Sequence, residues 1–180
     1  MPSLWSQDIY VKAFRFAEEA HLGQEFRGTK LPYTFHVTLV CMETIAALAH
    51  ESERNGDLAI QCALLHDVIE DTPIGYASIQ AEFGTTVADG VLALTKNETL
   101  PKTQQMPDSL ARILKEPREV AMVKLADRIT NLMPPPHDWH PEAIKTYHAE
   151  ALRIHAMLGS ASNHLAERLL MKADQYQRYF

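Results

Sequence analysis

The chain of 180 residues lacks any apolar run long enough to cross a membrane. Its N-terminus also lacks the basic residues followed by an apolar stretch that mark a secretory signal. Cysteine is scarce, since Cys41 and Cys62 are the only two, and both lie within apolar patterns of helical spacing. These absences predict a cytoplasmic protein with two buried thiols rather than a disulfide.

An excess of positive charge is missing as well. The formal net charge is −6, from 17 Lys and Arg residues against 23 Asp and Glu residues. Non-specific binding to nucleic acid or to an anionic membrane needs a basic field, so the charge argues against both classes of partner. A small anionic ligand is still compatible, because it needs only a local cluster of cations, and a bound metal ion can add positive charge.

The chain also has almost no alternation of apolar and polar residues with the period of a strand, whereas helical periodicity is widespread. We therefore predict an all-α bundle of roughly eight helices, forming one domain over residues 1–180 with 160–180 as a closing helix. One predicted helix covers 58–71, with Asp57 as its N-cap. No repeat, low-complexity tract or linker interrupts the pattern.

Two further boundaries matter for the site. Residues 95–106 are polar and are predicted to form a loop, followed by a helix near 107–115. A longer helix is predicted over 118–132, because three consecutive prolines beginning at Pro134 stop the chain.

Four titratable side chains occur in one otherwise apolar helical stretch. They are His66, Asp67, Glu70 and Asp71, in the run ALLHDVIEDT over 63–72. Burying such groups without partners is expensive, so they are expected to pair with one another or to bind a metal ion. Positions four apart share one helix face, which groups His66 with Glu70 and Asp67 with Asp71.

A second polar row lies on the helix predicted over 118–132, where Lys124, Asp127 and Asn131 follow the spacing i, i+3, i+7. His36, near the start of an earlier helix, is the remaining candidate ligand. Two imidazoles and two carboxylates suit a borderline-to-hard divalent cation such as Mn²⁺. No cysteine fits this site, which argues against structural zinc.

Structural explanations for these residues remain open at this point. A histidine on an apolar stripe is often a hydrogen-bonded core residue, and His66 alone fits that description. Glu70 and Asp71 could simply be solvated at a helix end, although carboxylates there oppose the helix dipole. The combination of both polar rows favours the metal site.

The motif residues resemble the H…HD…D signature of the HD superfamily of metal-dependent phosphohydrolases, with His36, the pair His66-Asp67 and Asp127 in the matching places. The resemblance extends over about residues 8–155 to the hydrolase domain of RelA/SpoT-type alarmone enzymes. Its segments are AHLGQEFR at 20–27, PYTFH at 32–36, ALLHDVIEDT at 63–72 and VKLADRITNL at 123–132. Because 180 residues leave no room for a synthetase domain, the chain most resembles the stand-alone small alarmone hydrolases.

This resemblance implies an HD-domain fold and removal of the 3′-pyrophosphate from guanosine tetra- or pentaphosphate, which gives GDP or GTP and pyrophosphate. It implies Mn²⁺ as the cofactor, held by His36, His66, Asp67 and Asp127. Glu70 and Asp71 are implied to position and deprotonate the attacking water. We expect a single ion, because no histidine lies between Asp67 and His137, where dinuclear HD enzymes supply further ligands.

The resemblance also implies a set of substrate contacts, at which this chain departs from the family. Arg27 would lie against the base, but Gly28 follows it where a second basic residue is usual, and Lys30 is the next cation. The resemblance also implies Lys102, Asn131 and Tyr147, while Lys30 is a candidate replacement for the missing basic residue. Lys124 joins the candidate contacts because, with Lys102, it could offset the charge on the leaving pyrophosphate.

Two other functions stay open on the residues alone. One is an HD phosphohydrolase acting on another nucleotide, such as an adenosine 3′-pyrophosphate analogue, the phosphate of NADPH or a nucleotide monophosphate. The other is a sensor that binds a nucleotide without turnover, although a sensor has no need of Glu70 and Asp71 as a water-activating pair. The expected partner in every case is a small nucleotide, with no nucleic acid and no membrane, and the sequence predicts no oligomeric state.

Overall fold

Helices account for all the regular structure in the computed structural model, which describes residues 4–51 and 54–180. The α-helices in these ranges are α1 Gln7–Ala20, α2 Thr34–Leu48, α3 Gly56–Leu65, α4 Val68–Asp71, α5 Tyr76–Phe83, α6 Thr85–Leu94, α7 Lys102–Ile113, α8 Arg118–Asn131, α9 Pro141–Leu158 and α10 Asn163–Tyr176. Two 3₁₀ turns, Gly159–Ala161 and Gln177–Tyr179, flank α10. The predicted all-α fold is confirmed, and an isolated bridge between Glu25 and Pro32 is the only β-type pairing in the described ranges.

The helices that carry the motif residues form the centre of the bundle. Helix α3 packs against α1, α2 and α8, and α2 also packs against α8. Leu64 and Leu65 of α3 and Leu125 of α8 are fully buried, each worth about 1.5–3 kcal/mol of apolar burial. Every residue of α8 from Glu119 to Thr130 is buried, so its polar side chains must find partners inside the protein.

The predicted helix over 58–71 is interrupted at its two central motif residues. Helix α3 ends at Leu65 and α4 begins at Val68, with His66 and Asp67 between them. Both keep right-handed helical torsions, and the backbone N–H of Asp71 still donates to the carbonyl of Asp67 at 2.8 Å. The chain therefore continues as one helical path. This break is one reason why the described ranges contain ten α-helices where roughly eight were predicted.

The predicted N-cap at Asp57 is wrong. Asn55 caps α3, because its side-chain oxygen accepts a hydrogen bond from the backbone three residues on at 3.1 Å. Asp57 accepts from the backbone N–H of Ser6 at 2.6 Å and so ties the N-terminal segment to α3. Gly56 is required at this contact, since a Cβ there would lie 2.1 Å from the carbonyl oxygen of Leu4.

The boundary between the loop at 95–106 and the next helix is also wrong. Helix α7 begins at Lys102 and contains Pro107 in its second turn. The polar residues before Pro107 carry no apolar periodicity, so the sequence pattern does not indicate that the helix already begins at Lys102. The helix is anchored further along, where Arg112 donates to two carbonyls at the end of α6.

The predicted buried thiols are confirmed. Cys41 and Cys62 are both free and buried, and burial raises the pKa of each thiol to about 12. Among the described residues, the helices are all too short or too polar to cross a membrane.

Candidate metal centre

The four predicted metal ligands come from three separate helical segments and converge on one point. His36 lies in the first turn of α2, His66 and Asp67 lie between α3 and α4, and Asp127 lies in α8. The Nε2 atom of His36 is 3.5 Å from Asp67 Oδ2 and 3.5 Å from Asp127 Oδ1. The Nε2 atom of His66 is 3.0 Å from Asp67 Oδ2 and 3.9 Å from Asp127 Oδ1.

Three of these four separations match the spacing of ligands around one cation, and the fourth, from His66 to Asp127, is longer. Donor atoms about 2.1 Å from a shared ion lie about 3 to 3.5 Å from one another. The ligand atoms of His36, His66 and Asp67 all fall within 4.8 Å of one another. Asp127 lies outside that set of three, and its Oδ1 approaches the two imidazoles at 3.5 and 3.9 Å. The donor set of two nitrogens and two oxygens suits a borderline divalent metal.

The hydrogen bonding of His66 assigns its tautomer. Its Nδ1 lies 2.8 Å from the carbonyl oxygen of Ala63, which can only accept, so Nδ1 carries the proton. In the neutral ring the Nε2 lone pair then faces the centre, where Nε2 is buried 3.0 Å from Asp67 Oδ2. A lone pair and a carboxylate at this distance repel one another, and a proton or a metal cation between them would remove that repulsion.

The centre favours positive charge. Burial by itself lowers the pKa of His66, but Asp67, Asp127 and the Ala63 carbonyl together raise it to about 9. Burial raises the pKa of Asp67, but His66 and His36 outweigh it and hold that pKa well below its usual range. The pKa of Asp127 is likewise held low, since Lys124 and the two imidazoles outweigh the effect of burial. A divalent cation would compete with the proton on His66 for the same place.

Asp127 is held by its own helix. Lys124 donates from Nζ to Asp127 Oδ2 at 2.9 Å, and Asn131 donates from its side-chain amide to Oδ1. Lys124 is only 8% exposed, so its ammonium group depends on this partner. Two of the six predicted substrate contacts, Lys124 and Asn131, thus bind a candidate metal ligand.

Tyr33 is a site residue that sequence reasoning missed. Its hydroxyl lies 2.6 Å from Asp67 Oδ2 and 2.8 Å from Asp71 Oδ2, and so joins the metal ligands to the candidate catalytic pair. The ring of His21 stacks on Tyr33 at 4.5 Å, and Gln24 donates to the backbone carbonyl of Asp71 at 2.8 Å. Tyr33 lies in the turn before α2, where no periodic pattern marks it, and its place in the segment PYTFH at 32–36 was the available signal.

The two candidate catalytic carboxylates have different surroundings. Partial burial and the neighbouring Asp67 raise the pKa of Asp71. The hydrogen bond from Tyr33 lowers this pKa, but by less than the other two effects raise it. Glu70 is ion-paired through Oε1 with Nζ of Lys96, and its Oε2 accepts from the backbone N–H of Lys96 at 2.9 Å. Lys96 fell within the predicted loop, where no periodicity indicates which residue will contact a distant helix.

Trp139 lies between two of the remaining predicted substrate contacts, Arg27 and Tyr147. The guanidinium carbon of Arg27 lies 5.3 Å from the ring centre of Trp139, and Trp139 meets Tyr147 edge-on at 5.1 Å. Lys30 and Lys102 are exposed, the first in the turn before α2 and the second at the start of α7.

The unusual glycine after Arg27 has a conformational explanation. Gly28 has φ +75°, in the left-handed region that L side chains rarely adopt. A second basic residue at this position would therefore be strained in the observed turn, and Lys30 is the next cation along the chain.

Comparison with known proteins connects this centre to a family. A family model described as the HD domain matches residues 13–163. The guanosine-3′,5′-bis(diphosphate) 3′-pyrophosphohydrolase MESH1 of Danio rerio is 28% identical over 169 residues, which cover 91% of this chain and 92% of that protein. Its Xenopus tropicalis counterpart is 30% identical over 144 residues, covering 77% and 78%.

Solved structures show the same fold. A structure described as a metazoan ortholog of SpoT that hydrolyzes ppGpp superposes with a TM-score of 0.80 at 24% identity, over 94% of this chain and 96% of the other. The crystal structure of lmo0812 from Listeria monocytogenes gives a TM-score of 0.65 at 21% identity, over 82% and 99%. At these identities the likeness concerns the fold.

Proposed function

The chain belongs to the HD-domain family, and we propose that it is a metal-dependent 3′-pyrophosphohydrolase of guanosine tetra- and pentaphosphate. The observation that carries the proposal is the convergence of two imidazoles and two carboxylates in a chain that aligns almost end to end with a pyrophosphohydrolase of that name. We further propose one Mn²⁺ ion as the cofactor, because mixed nitrogen and oxygen donors suit it.

The proposed metal ligands are His36, His66, Asp67 and Asp127. When bound there, a divalent cation would polarise a phosphoryl oxygen and lower the pKa of a nearby water molecule. Lys124 and Asn131 would keep Asp127 oriented towards the ion through the hydrogen bonds described above.

Glu70 and Asp71 are the proposed groups that orient the attacking water and accept its proton. The water oxygen bonds to the phosphorus that carries the ribose O3′, and the bond from phosphorus to O3′ breaks. O3′ takes a proton to become the free hydroxyl of GDP or GTP, and pyrophosphate leaves. A positioned carboxylate base contributes about 10²–10⁴-fold to such a step.

Cationic and aromatic side chains are the proposed substrate contacts. Arg27, held against Trp139, would lie against the guanine base, and Tyr147 would contact the sugar and phosphates. Lys30 and Lys102 are exposed, which leaves their ammonium groups available to phosphate oxygens.

We also propose that the protein acts in the cytoplasm. Its two cysteines are free and buried, a form that is typical of a reducing compartment. Fractionation of the source cells with an antibody against the chain tests this, and recovery in a secreted fraction would contradict it.

A metal and nucleotide screen tests the function. Purified protein is stripped with a chelator and reloaded with Mn²⁺, Mg²⁺ or Zn²⁺, and pyrophosphate and phosphate release are then measured separately. We expect pyrophosphate from guanosine tetra- and pentaphosphate with Mn²⁺, and one bound ion per chain by elemental analysis. The double variant Glu70→Gln, Asp71→Asn is the matched control, because it should lose turnover and keep the metal.

Other outcomes have defined meanings. Phosphate released only from NADPH or from nucleotide monophosphates would refute the substrate and keep the HD hydrolase. Tight nucleotide binding without product, in protein that holds its metal, would replace the enzyme with a sensor.

A further inference from the structure

Lys96 contacts both oxygens of the Glu70 carboxylate. Its ammonium group pairs with Oε1, and its backbone N–H donates to Oε2 at 2.9 Å. We infer that Lys96 is a positioning residue that holds the Glu70 carboxylate in one orientation for water activation. This inference rests on the hydrolase function proposed above.

The backbone of Lys96 is itself fixed by the neighbouring helices. Lys96 directly follows Thr95, whose hydroxyl donates to the carbonyl of Val91 in α6 at 2.9 Å. Arg112 of α7 donates to the carbonyl of Thr95 at 2.7 Å and is held by Asp108 at 2.8 Å. The backbone directly before Lys96 is therefore tied to both α6 and α7.

The charge on Lys96 is secured by its surroundings. Burial lowers the pKa of its ammonium group. The negative charge of Glu70, and to a smaller extent those of Asp127 and Asp67, outweighs burial and raises that pKa above its usual range. Lys96 thus remains a cation beside the anionic centre throughout the neutral pH range.

A direct contact with a substrate phosphate is the competing role for this cation. Glu70, Lys96 and Asn97 line a cavity of about 410 Å³ that could admit a phosphate group. The positioning role is favoured because the Lys96 side chain and backbone both bind Glu70, an arrangement that orients a carboxylate. The two roles affect different kinetic constants, since loss of a phosphate contact raises KM and loss of orientation lowers kcat.

The kinetic test compares Lys96→Met, Lys96→Arg, Glu70→Gln and the double variant Lys96→Met, Glu70→Gln. We expect Lys96→Met to lower kcat by about 10- to 100-fold with KM within about twofold, and Lys96→Arg to recover most of the loss. The double variant should be no worse than Glu70→Gln alone, because the two residues act as a unit. The matched control is Lys12→Met, which breaks the Lys12–Glu82 ion pair of 3.0 Å between α1 and α5 and should leave both constants unchanged.

Two kinetic results would overturn the inference. One is a raised KM with unchanged kcat in Lys96→Met, which assigns Lys96 to the substrate. The other is a double variant whose loss equals the product of the two single losses, which means that the residues act independently.

A substrate-free measurement separates this inference from the proposed function. In a nitrogen-15 NMR titration, the Lys96 ammonium should titrate above its usual range, and Glu70→Gln should lower that pKa. A Lys96 signal insensitive to Glu70→Gln would refute the pairing, whatever the enzyme hydrolyses. Intact pairing with turnover of a different nucleotide would refute the guanosine substrate alone, and the kinetic comparison is then made on that nucleotide.

Discussion

The hydroxyl of Tyr33 lies 2.6 Å from a carboxylate oxygen of Asp67. A candidate metal ligand is thereby oriented by a residue one helical turn before another ligand, His36. The same hydroxyl reaches Asp71 at 2.8 Å, so one side chain couples the metal ligands to the proposed water-activating pair.

Tyr33→Phe should therefore weaken metal binding by about 10- to 100-fold, the usual effect of losing a hydrogen bond that orients a ligand. Calorimetric titration with Mn²⁺ measures the affinity. Tyr76→Phe is the control, because it removes an equivalent Tyr–Asp hydrogen bond of 2.8 Å to Asp89 outside the centre. Equal loss of affinity in both variants would mean that the effect is a general loss of stability.

Stability of the metal-free protein should fall between about pH 6.5 and pH 9. The folded-state pKa of His66 is raised to about 9, above its ordinary value of about 6.5. The protonated form therefore adds stability that is fully present below the lower value and lost as pH rises through the higher one. The urea midpoint in chelator measures it, and His66→Gln should flatten this slope. The depressed pKa of Asp67 contributes stability that is lost only in acid, well outside this window.

Mn²⁺ should stabilise the protein more at pH 8 than at pH 6, because protons compete with the ion for His66. At a free concentration of 100 times Kd the gain is about 2.7 kcal/mol, which thermal unfolding detects. Asp127→Asn should reduce the gain at both pH values. A gain that is the same at pH 6 and pH 8 would contradict the assignment of His66 as a ligand.

Arg168→Met should destabilise the fold by about 3 kcal/mol, because it leaves the Glu43 carboxylate buried without a partner. Both guanidinium contacts of Arg168 go to Glu43, which joins α10 to α2, and Glu43 is 5% exposed. Chemical denaturation measures the loss, and the double variant Glu43→Met, Arg168→Met should recover much of it. A single transition in every variant would support our prediction that residues 160–180 fold with the rest as one domain.

Much of the site could be predicted from the sequence, because its titratable residues lie in otherwise apolar helical segments. His66, Asp67 and Asp127 lie in stretches that are otherwise buried, and such groups need partners, which is why pattern alone pointed to them. Tyr33 and Lys96 could not be found in this way, because each lies in a turn and contacts a helix distant in the chain. Periodicity describes which face a residue occupies within its own helix, and it carries no information on which loop will contact that face.

The roles of Lys124 and Asn131 show the same limit. Their spacing with Asp127 correctly placed them on one face of α8, but their first partner is Asp127 itself. Hydrogen bonds within one helix turn compete with contacts to a ligand, and only the side-chain geometry reveals which is made.

The buried thiols of Cys41 and Cys62 can report on the local opening of the helices that contain them. Each belongs to a helix next to a candidate ligand, and neither can react with an alkylating reagent until that helix opens to solvent. The rate of thiol capture therefore reports how often α2 and α3 separate from their neighbours. If the bound ion stabilises the packing of these helices, adding the metal will slow alkylation of the two thiols. The measurement needs no introduced probe.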